Sequence, residues 1–326
     1  MTLFVRLLRR VALAAATFAA SGAGAQTPPT LRLGHFPNIT HVQALVARSF
    51  EREGRSFVAE AYGAPVKVEW FAYNAGPSAM EAIFAKAIDA TYVGPNPALN
   101  AYARSRGAEP RVIGGAVNGG SALVVQPGAG LSKPSDFRGR KIATPQFGNT
   151  QDIAARAWLA AGGLRITQTG GDALVVPTQN PDQLALFQRK EIDAVWTVEP
   201  WVARLEAEAG GAILLEEKDA VTTVLAARTA FLQEQPKLAA ALAEANRRLS
   251  DWIAKNPDEA ARRAREELNA TFRANLDAAL VKRSFDRLTV SATTPREGFA
   301  KFVEAAKTAG FLRDAPALDP FFADPR

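Results

Sequence analysis

The residues of this sequence best suited to chemistry are small and polar, and they stand where a strand-like stretch gives way to a helical one. Gly148, Asn149 and Thr150 follow the short stretch 141–144 and open an Ala-rich helical stretch at 150–161. The first N–H groups of a helix have no partner inside it, and the helix dipole is positive at that end. Such a terminus binds anions such as sulfonate or carboxylate, and the Thr150 hydroxyl can add a donor. Asn149 or Thr150 can instead serve as a helix cap alone.

Other strand ends carry residues that can contact the same ligand. Ser78 stands at a second predicted helix start and can donate a hydrogen bond, while Gly94 allows close approach of the backbone. Asn96 can bond a polar head group, or it can be the N-cap of a helix that starts at Pro97. Phe36 suits a buried core as well as it suits a ligand. The candidate ligand-binding residues at these strand ends and beside Gly148 are His35, Phe36, Asn38, Thr40, Gly76, Pro77, Ser78, Gly94, Asn96 and Phe147.

An acid and an indole, Glu199 and Trp201, follow the predicted strand at 193–198 and complete the set of candidate ligand-binding residues. Trp201 can stack on an apolar or ring-bearing ligand, or it can pack within its own part of the fold. A carboxylate at Glu199 repels an anion, unless the ligand also carries an ammonium group or Glu199 caps a helix away from the pocket. No arginine matches an obvious clamp, which suits recognition by helix termini.

The composition excludes several classes of site. The 326 residues include no cysteine and two histidines, so thiol nucleophiles, disulfides and Cys-ligated zinc are ruled out. His35 and His41 are six positions apart, which suits no pair of metal ligands on a helix, so we expect neither a metal nor a cofactor. The hydrolase elbow, P-loop and dinucleotide-binding turn are missing, so we expect no enzyme, with a carboxylate-dependent enzyme as the alternative. The net charge of +6 comes without a basic run interleaved with aromatics, so we expect no nucleic-acid partner.

The first 25 residues have the pattern of a secretory signal peptide. Three arginines and no acid precede or flank the start of an apolar run at 11–20, and small residues at 23–25 suit cleavage after Ala25. The apolar run is about half of the roughly 20 residues that a bilayer-spanning helix needs. No cysteine is available for lipid attachment. We therefore expect no membrane anchor and a periplasmic location, with full secretion as the alternative.

The rest of the chain alternates short β-branched stretches with Ala-rich amphipathic helices, which is typical of βαβ units in an α/β fold. Two such sets are followed by a final third that is helical almost throughout. Glycine pairs at 114–115 and 119–120 bracket the first junction, and the second lies near 217–223. The sets form either two lobes or one long open sheet. If both junctions cross between lobes, they make a double hinge, and the ligand lies in the cleft beyond the carboxyl ends of the strands.

Short motifs along the chain, in this order and spacing, resemble the extracytoplasmic solute-binding proteins of ABC importers. The resemblance is to the aliphatic-sulfonate, taurine and nitrate group, which also includes binders of pyrimidine precursors, and it covers nearly all of the chain beyond the signal peptide. The motifs are LGHFPNITH at 33–41, AGPS at 75–78, IDATYVG at 88–94, TPQFGNT at 144–150, EIDAVWTVEPW at 191–201 and TTVL at 222–225.

This resemblance implies a two-lobed periplasmic-binding-protein type II fold of the α/β class, with a mostly parallel sheet flanked by helices in each lobe, a double hinge and a helical C-terminal region. We expect a signal peptide (1–25), lobe I in two parts (26–118 and the mostly helical 221–326) and lobe II (119–220). The resemblance implies a monomer that delivers a small ligand to a permease and its ATPase, or a sensory subunit that presents the ligand to a membrane receptor. An aliphatic sulfonate or taurine is the leading ligand, with a heteroaromatic pyrimidine-type compound, nitrate or a small carboxylate as alternatives.

Overall fold

The computed structural model describes residues 27–325, so the predicted signal peptide at 1–25 lies outside the described residues. Short apolar and β-branched stretches form the strands, as their sequence pattern predicts. These strands are β1 (Thr30–His35), β2 (Lys67–Ala72), β3 (Ala90–Val93), β4 (Arg111–Gly119), β5 (Ser121–Val125), β6 (Lys141–Thr144), β7 (Leu174–Pro177), β8 (Ala194–Val198), β9 (Ala212–Glu216), β10 (Val221–Ala227) and β11 (Leu288–Val290).

Helices connect most of the strands, and several of them start at a proline or after a capping side chain. Short 3-10 turns lie at Ile39–His41, Pro134–Phe137, Arg296–Gly298 and Asp319–Phe321. Within residues 27–325, none of the helices combines the length and apolar character needed to cross a membrane. The helices are α1 (Val42–Arg52), α2 (Phe57–Tyr62), α3 (Gly76–Phe84), α4 (Pro95–Arg104), α5 (Thr150–Ala161), α6 (Asn180–Gln188), α7 (Trp201–Ala209), α8 (Thr229–Glu234), α9 (Pro236–Lys255), α10 (Pro257–Phe272), α11 (Ala278–Phe285) and α12 (Phe299–Thr308).

The strands form two sheets, each at the centre of one lobe. The first lobe contains the six-stranded sheet, in the order β11-β4-β10-β3-β1-β2, and the second lobe contains the five-stranded sheet, in the order β7-β6-β8-β5-β9. The chain passes to the second lobe between β4 and β5, and returns between β9 and β10. Gly119 and Gly120 make the first crossing with φ angles of 76° and 69°. A Cβ on Gly119 would lie 2.4 Å from the carbonyl oxygen of Arg287, so this crossing needs glycine.

The two-lobed α/β prediction is confirmed, but the prediction of mostly parallel sheets is wrong, because both sheets are mixed. β1 pairs in parallel with β2 and β3, and β6 with β7 and β8. β10 lies antiparallel to β3 and β4, β11 to β4, and β5 to β8 and β9. The cause is the double crossing. β4 runs out of the first lobe and β10 runs back into it, so they have opposite directions at one junction, as β5 and β9 have in the second lobe.

Each sheet is covered on both faces, which explains its nearly continuous apolar strands. Along β10, Leu225 packs into one cluster with α1, α9 and α10, while its neighbour Val224 packs into another with α3, α4 and α12. Along β5, Leu123 and Val124 divide between two clusters of the second lobe in the same way. The layers hold the strand ends rigidly, and the loops at those ends meet between the lobes.

Candidate functional site

The loops that follow the strands of both lobes enclose a small cavity, here called the interlobe cavity. Its volume is about 30 Å3. Its walls come mostly from the ends of β1, β2, β3, β6 and β8 and from the helices that follow them. The lining residues are Phe36, Asn38, Thr40, His41, Asn74, Ala75, Gly76, Gly94, Pro97, Pro145, Asn149, Thr150, Gln151, Val198 and Thr222.

The starts of four helices converge on the interlobe cavity, from α3, α4, α5 and the 3-10 turn that leads into α1. They differ in the number of N–H groups that they can offer. Pro77 stands in the first turn of α3, and both Pro95 and Pro97 stand in that of α4, so these positions have no N–H. The first turn of α5 contains no proline. The first turn of α5 therefore has an N–H at every position, of which that of Asp152 is bonded to the Asn149 side chain.

Thr150 adds a side-chain donor at the start of α5. Asn149 is the N-cap of this helix, and its Oδ1 accepts a hydrogen bond of 2.8 Å from the Asp152 N–H. Thr150 is the first helical residue, is 6% exposed, and has a buried Oγ1 without a hydrogen-bond partner in the protein. A buried hydroxyl without a partner costs free energy, which a ligand atom at this position would recover.

A buried ion pair between Asp152 and Arg156 supports the loop before α5. Gly148 has a φ of 76°, and its N–H donates to Asp152 Oδ2 at 3.0 Å. Thr144 Oγ1 donates to the other carboxylate oxygen at 3.0 Å, and Arg156 pairs with Asp152 at 3.0 Å. Both charged side chains are almost completely buried. Arg156 therefore positions the backbone of this loop through Asp152 rather than a ligand.

His41 supplies a further neutral donor. Its Nδ1 lies 3.3 Å from the Phe36 N–H, which donates to it, so the proton of the neutral ring is on Nε2. Burial keeps the pKa of His41 well below its ordinary value, and the nearby His35 lowers it further. The ring is therefore uncharged at neutral pH. His41 lines the cavity and can donate a hydrogen bond from Nε2 to a ligand.

None of the residues that line the interlobe cavity carries a formal charge at neutral pH. Asn38 Oδ1 accepts from the Trp201 indole at 3.1 Å, which leaves the amide nitrogen of Asn38 as a donor. Within residues 27–325, no cluster of three or more His, Asp or Glu side chains is placed to hold a metal ion. The cavity is thus an array of neutral donors around the positive ends of helices, which is suited to an anion.

Comparison with known protein families identifies the family of this chain. Residues 24–268, well over half of the sequence, match the NMT1-like family. This chain belongs to the NMT1-like family. A search of curated protein sequences gives no significant match.

Solved structures show how widely the fold of this NMT1-like chain occurs. The alkanesulfonate-binding protein SsuA from Xanthomonas axonopodis pv. citri, bound to MOPS, is 16% identical, with a TM-score of 0.74 over 92% of this chain and 100% of that chain. The periplasmic nitrate-binding protein NrtA from Synechocystis PCC 6803 is 18% identical, with a TM-score of 0.71 over 90% and 84%. A DszB mutant in complex with biphenyl-2-sulfinic acid is 16% identical, with a TM-score of 0.63 over 91% and 97%. The predicted family resemblance and the periplasmic-binding-protein fold are confirmed.

The NMT1-like chain brings about half of the predicted ligand-binding residues together. Those that line the interlobe cavity are Phe36, Asn38, Thr40, Gly76, Gly94, Asn149 and Thr150. Gly94 and Thr150 come from different lobes and are so close that a Cβ on Gly94 would lie 2.5 Å from Thr150 Oγ1. Gly94 therefore allows the two lobes to meet at this point.

Glu199 is one of the predicted residues that do not line the cavity. Its carboxylate therefore does not face an anion bound there. It is fully buried, and its carboxylate accepts from the Ala203 N–H at 3.1 Å and from Ser284 Oγ at 2.8 Å. Arg287 Nη1 donates to it at 2.7 Å. Burial raises the pKa of Glu199, although the bonds from Arg287 and Ser284 act against this shift. The carboxylate is thus used inside the protein, at the start of α7.

Other predicted residues hold the lobes or the core instead of facing the cavity. Ser78 exchanges hydrogen bonds with Gln146 of the second lobe, at 2.9 and 3.2 Å between the same side chains. Asn96 is not an N-cap, because α4 starts at Pro95 and Gly94 takes the cap position; its amide donates to the Phe302 carbonyl at 3.1 Å. Trp201 bonds Asn38 across the lobes and does not line the cavity.

His35 lies behind the cavity wall in the first lobe. Its ring packs edge-on against Trp70 and Phe272, at 5.6 and 5.9 Å between ring centres, and its Nε2 has no partner. Burial lowers the pKa of His35 to about 3, and the charge of Arg48 contributes. His35 is therefore a neutral core residue. The remaining predicted residues, Pro77, Phe147 and Gly148, line a separate groove beside the cavity.

Sequence reasoning missed eight lining residues, of which five lie inside the family motifs and three lie close to them. Asn74 donates to the Pro145 carbonyl at 3.2 Å, which joins the two lobes at the cavity. Gln151 follows Thr150, and Thr222 opens the TTVL motif. Their position in or beside the motifs was the available signal, because a pocket that is lined by one residue of a tight loop is commonly lined by the next. The missed residues are His41, Asn74, Ala75, Pro97, Pro145, Gln151, Val198 and Thr222.

Proposed function

We propose that this protein is the periplasmic ligand-binding subunit of an ABC importer, and that it captures a small organic anion in the interlobe cavity. The observation that carries this proposal is the partnerless Thr150 hydroxyl at the start of α5, in a cavity whose other polar groups are neutral. A helix start of this kind binds sulfonate, nitrate or carboxylate without a formal cation. The two crossings at 119–120 and 217–220 give the lobes a double hinge, by which they close around the ligand.

The structural neighbours support an anion as the ligand. One is named for alkanesulfonate binding and holds MOPS, another is named for nitrate, and a third holds a sulfinic acid. An aliphatic sulfonate is the leading choice for this chain. Taurine is less favoured, because its ammonium group needs an acceptor such as a carboxylate, and Glu199 is already bonded to Ser284 and Arg287.

Binding rather than catalysis is favoured by the chemistry of the lining groups. An acid–base mechanism needs a group that titrates near the working pH. His41 is the one lining side chain that can titrate near neutral pH in its ordinary state, and burial holds its pKa well below that range. In this role the chain is exported by its signal peptide, binds the ligand, and delivers the closed complex to a permease and its ATPase.

Thermal unfolding against a panel of ligands tests the proposal. Residues 26–326 are expressed, freed of bound ligand by unfolding and refolding, and heated with methanesulfonate, benzenesulfonate, taurine, nitrate, acetate or a pyrimidine precursor. A ligand at about 100 times its Kd adds about 2.7 kcal/mol to the free energy of unfolding, which raises the midpoint by several degrees. We expect the largest rise of the midpoint with sulfonates and no rise with choline, a cation similar in size to taurine. A shift with pyrimidine compounds alone would overturn the choice of an anion, and no shift with any anion would overturn the binding site.

A further inference from the structure

A groove far larger than the interlobe cavity opens directly beside it. This mouth groove lies between α3 and α4 of the first lobe, the 146–148 loop of the second lobe, and the 311–314 segment near the C-terminus. Its volume on the same scale is about 660 Å3, against about 30 Å3 for the interlobe cavity. Pockets for organic ligands measure about 300–1,000 Å3. The groove has the size of an organic molecule, and the cavity has only the size of a head group.

The mouth groove has an apolar, aromatic wall that solvent reaches. Phe147 is 38% exposed, and it is one of three large apolar side chains with such exposure within residues 27–325. Its ring lies 5.0 Å from that of Phe311, at an angle of 44°. Met80, Pro97 and Leu312 extend this surface. An aromatic pair that is partly open to solvent in a concave site is suited to an apolar or aromatic group of a ligand.

The mouth groove also offers one polar contact. Asn100 lines it, and the buried Oδ1 of this side chain has no hydrogen-bond partner. A ring N–H or a hydroxyl on a ligand would satisfy it. The rim carries charges of both signs, from Glu81, Arg104, Arg313 and Asp314. The rim therefore favours neither an anionic nor a cationic body.

The groove and the cavity are neighbours along three pieces of chain. Gly76 lines the cavity and Pro77 the groove, Asn149 the cavity and Gly148 the groove, and Pro97 lines both. Beside this partition the lobes touch at Gly94 and Thr150, whose closeness leaves no room for a Cβ on Gly94. A ligand that reaches from the cavity into the groove passes Pro97, which lines both.

We propose that the mouth groove holds the body of the ligand, and that the ligand is an organosulfonate whose apolar or aromatic group extends from the head at Thr150 to Phe147 and Phe311. This inference rests on the proposed function, since it places the head group in the interlobe cavity. It selects sulfonates with a ring or a chain of several carbons over nitrate, methanesulfonate and acetate. The C-terminal segment then takes part in choosing the ligand through Phe311.

Calorimetric titration with two ligands that share a head group tests the inference. Benzenesulfonate and methanesulfonate are titrated into the refolded chain 26–326 and into Phe147→Ala and Phe311→Ala. We expect benzenesulfonate to bind at least about tenfold more tightly than methanesulfonate, because a buried ring adds more than the roughly 1.4 kcal/mol that tenfold requires. In each Phe variant this preference falls about tenfold or is lost. Leu174→Ala on β7, a residue that is also 38% exposed but lies outside the groove, keeps the preference.

The possible results separate this inference from the proposed function. Equal affinity for the two sulfonates, or a preference that both Phe variants retain, overturns the mouth groove as a ligand site while the anion site stands. Failure of every sulfonate and carboxylate to bind overturns the proposed function and this inference together. Both Phe147 and Phe311 are only partly buried, so the variants are expected to fold, and their thermal midpoints without ligand verify this.

Discussion

Thr150 places a hydroxyl group in the interlobe cavity without giving it a partner. We predict that Thr150→Val raises the stability of the protein without ligand by about 1 kcal/mol, because it removes a buried polar group that has no hydrogen bond. The same change lowers the affinity for a sulfonate about tenfold, since a hydrogen bond to a charged group contributes about 1.5–3 kcal/mol. Urea unfolding and calorimetric titration measure the two effects. If Thr150 served the fold alone, its substitution would not raise the stability and lower the sulfonate affinity together.

Thr150→Ser is the matched control, because it keeps the hydroxyl group and removes one methyl group. We expect its sulfonate affinity to stay within about threefold of the original. If Thr150→Val binds as well as Thr150→Ser, the hydroxyl does not contact the ligand.

His35 makes the fold sensitive to acid. Its pKa falls to about 3 in the folded protein, against about 6.5 in an unfolded chain. Between these values the unfolded state binds the extra proton, so stability falls as the pH drops below about 6.5. We predict that the free energy of unfolding falls between pH 7 and pH 5 by about 2 kcal/mol more in the original protein than in His35→Gln. Urea unfolding at the two pH values gives this difference.

Comparison with the variant is needed because another buried group acts in the opposite direction. Burial raises the pKa of Glu51 to about 7, so the folded state binds its proton first, and this contribution to stability grows as the pH falls from about 7. Glu51→Gln removes that stabilising contribution, so the free energy of unfolding falls more steeply in acid. The same pH dependence with and without His35 would contradict the assignment.

Residue types predicted Gly148, Asn149 and Thr150 correctly as the start of a helix, because the chemistry of a helix start is local. The positions of Glu199 and Trp201 were not predictable in this way. Each is fixed by a distant residue, Arg287 and Asn38, and nothing near 199 in the sequence indicates a bond to residue 287. Local patterns therefore identified the candidate loop but could not separate residues that line the cavity from residues that join the lobes.

Between α11 and β11, Arg287 joins the two lobes. It pairs with the buried Glu199 at 2.7 Å and with Glu206 at 2.8 Å, both in or next to α7 of the second lobe. We predict that Arg287→Met destabilises the protein by about 3 kcal/mol at pH 7, because it leaves a buried carboxylate without its cation. Since the pKa of Glu199 is raised, the loss is smaller at pH 5, where the carboxylate takes up a proton more readily. Urea unfolding at both pH values checks the size and the sign.

Arg204→Met provides the control at the level of the element. Arg204 forms a pair of 2.7 Å with Glu208 on the surface of the same helix α7. A pair of this kind contributes less than about 1 kcal/mol. Equal losses in the Arg204 and Arg287 variants would show that the pair across the lobes has no special role.

Strand β11 shows why some elements escape sequence analysis. It has only three residues, is partly exposed and pairs with one end of β4. Three residues are too few to show the alternating pattern of a strand, so the sequence does not distinguish β11 from the neighbouring helices α11 and α12. Strand β8, by contrast, was predicted at 193–198, because its buried, mostly apolar run is visible without any knowledge of its partners.

At the scale of the whole molecule, the folded unit extends beyond the end of the family match. The NMT1-like match stops at residue 268, but the fold of the structural neighbours covers about nine tenths of the chain. Beyond 268 lie β11, which forms an edge of the six-stranded sheet, and the fully buried rings of Phe299 and Phe321. The backbone of Ala323 donates to the Val112 carbonyl at 2.9 Å. The last part of the chain thus completes the first lobe.

We therefore predict that a chain ending at residue 268 does not unfold in one cooperative transition, because the first lobe would expose the apolar faces that α12 and Phe321 cover. Circular dichroism during heating and urea titration of 26–268 and 26–326 measure the difference. Phe321→Ala in the longer chain is the graded control, with an expected loss of about 3–5 kcal/mol but a cooperative transition. A sharp transition in the shorter chain, with the urea dependence of the longer one, would mean that the first lobe folds without its C-terminal part. In that case Phe311 would be carried by an appendage, and its place in the mouth groove would lose the rigid support that ligand selection requires.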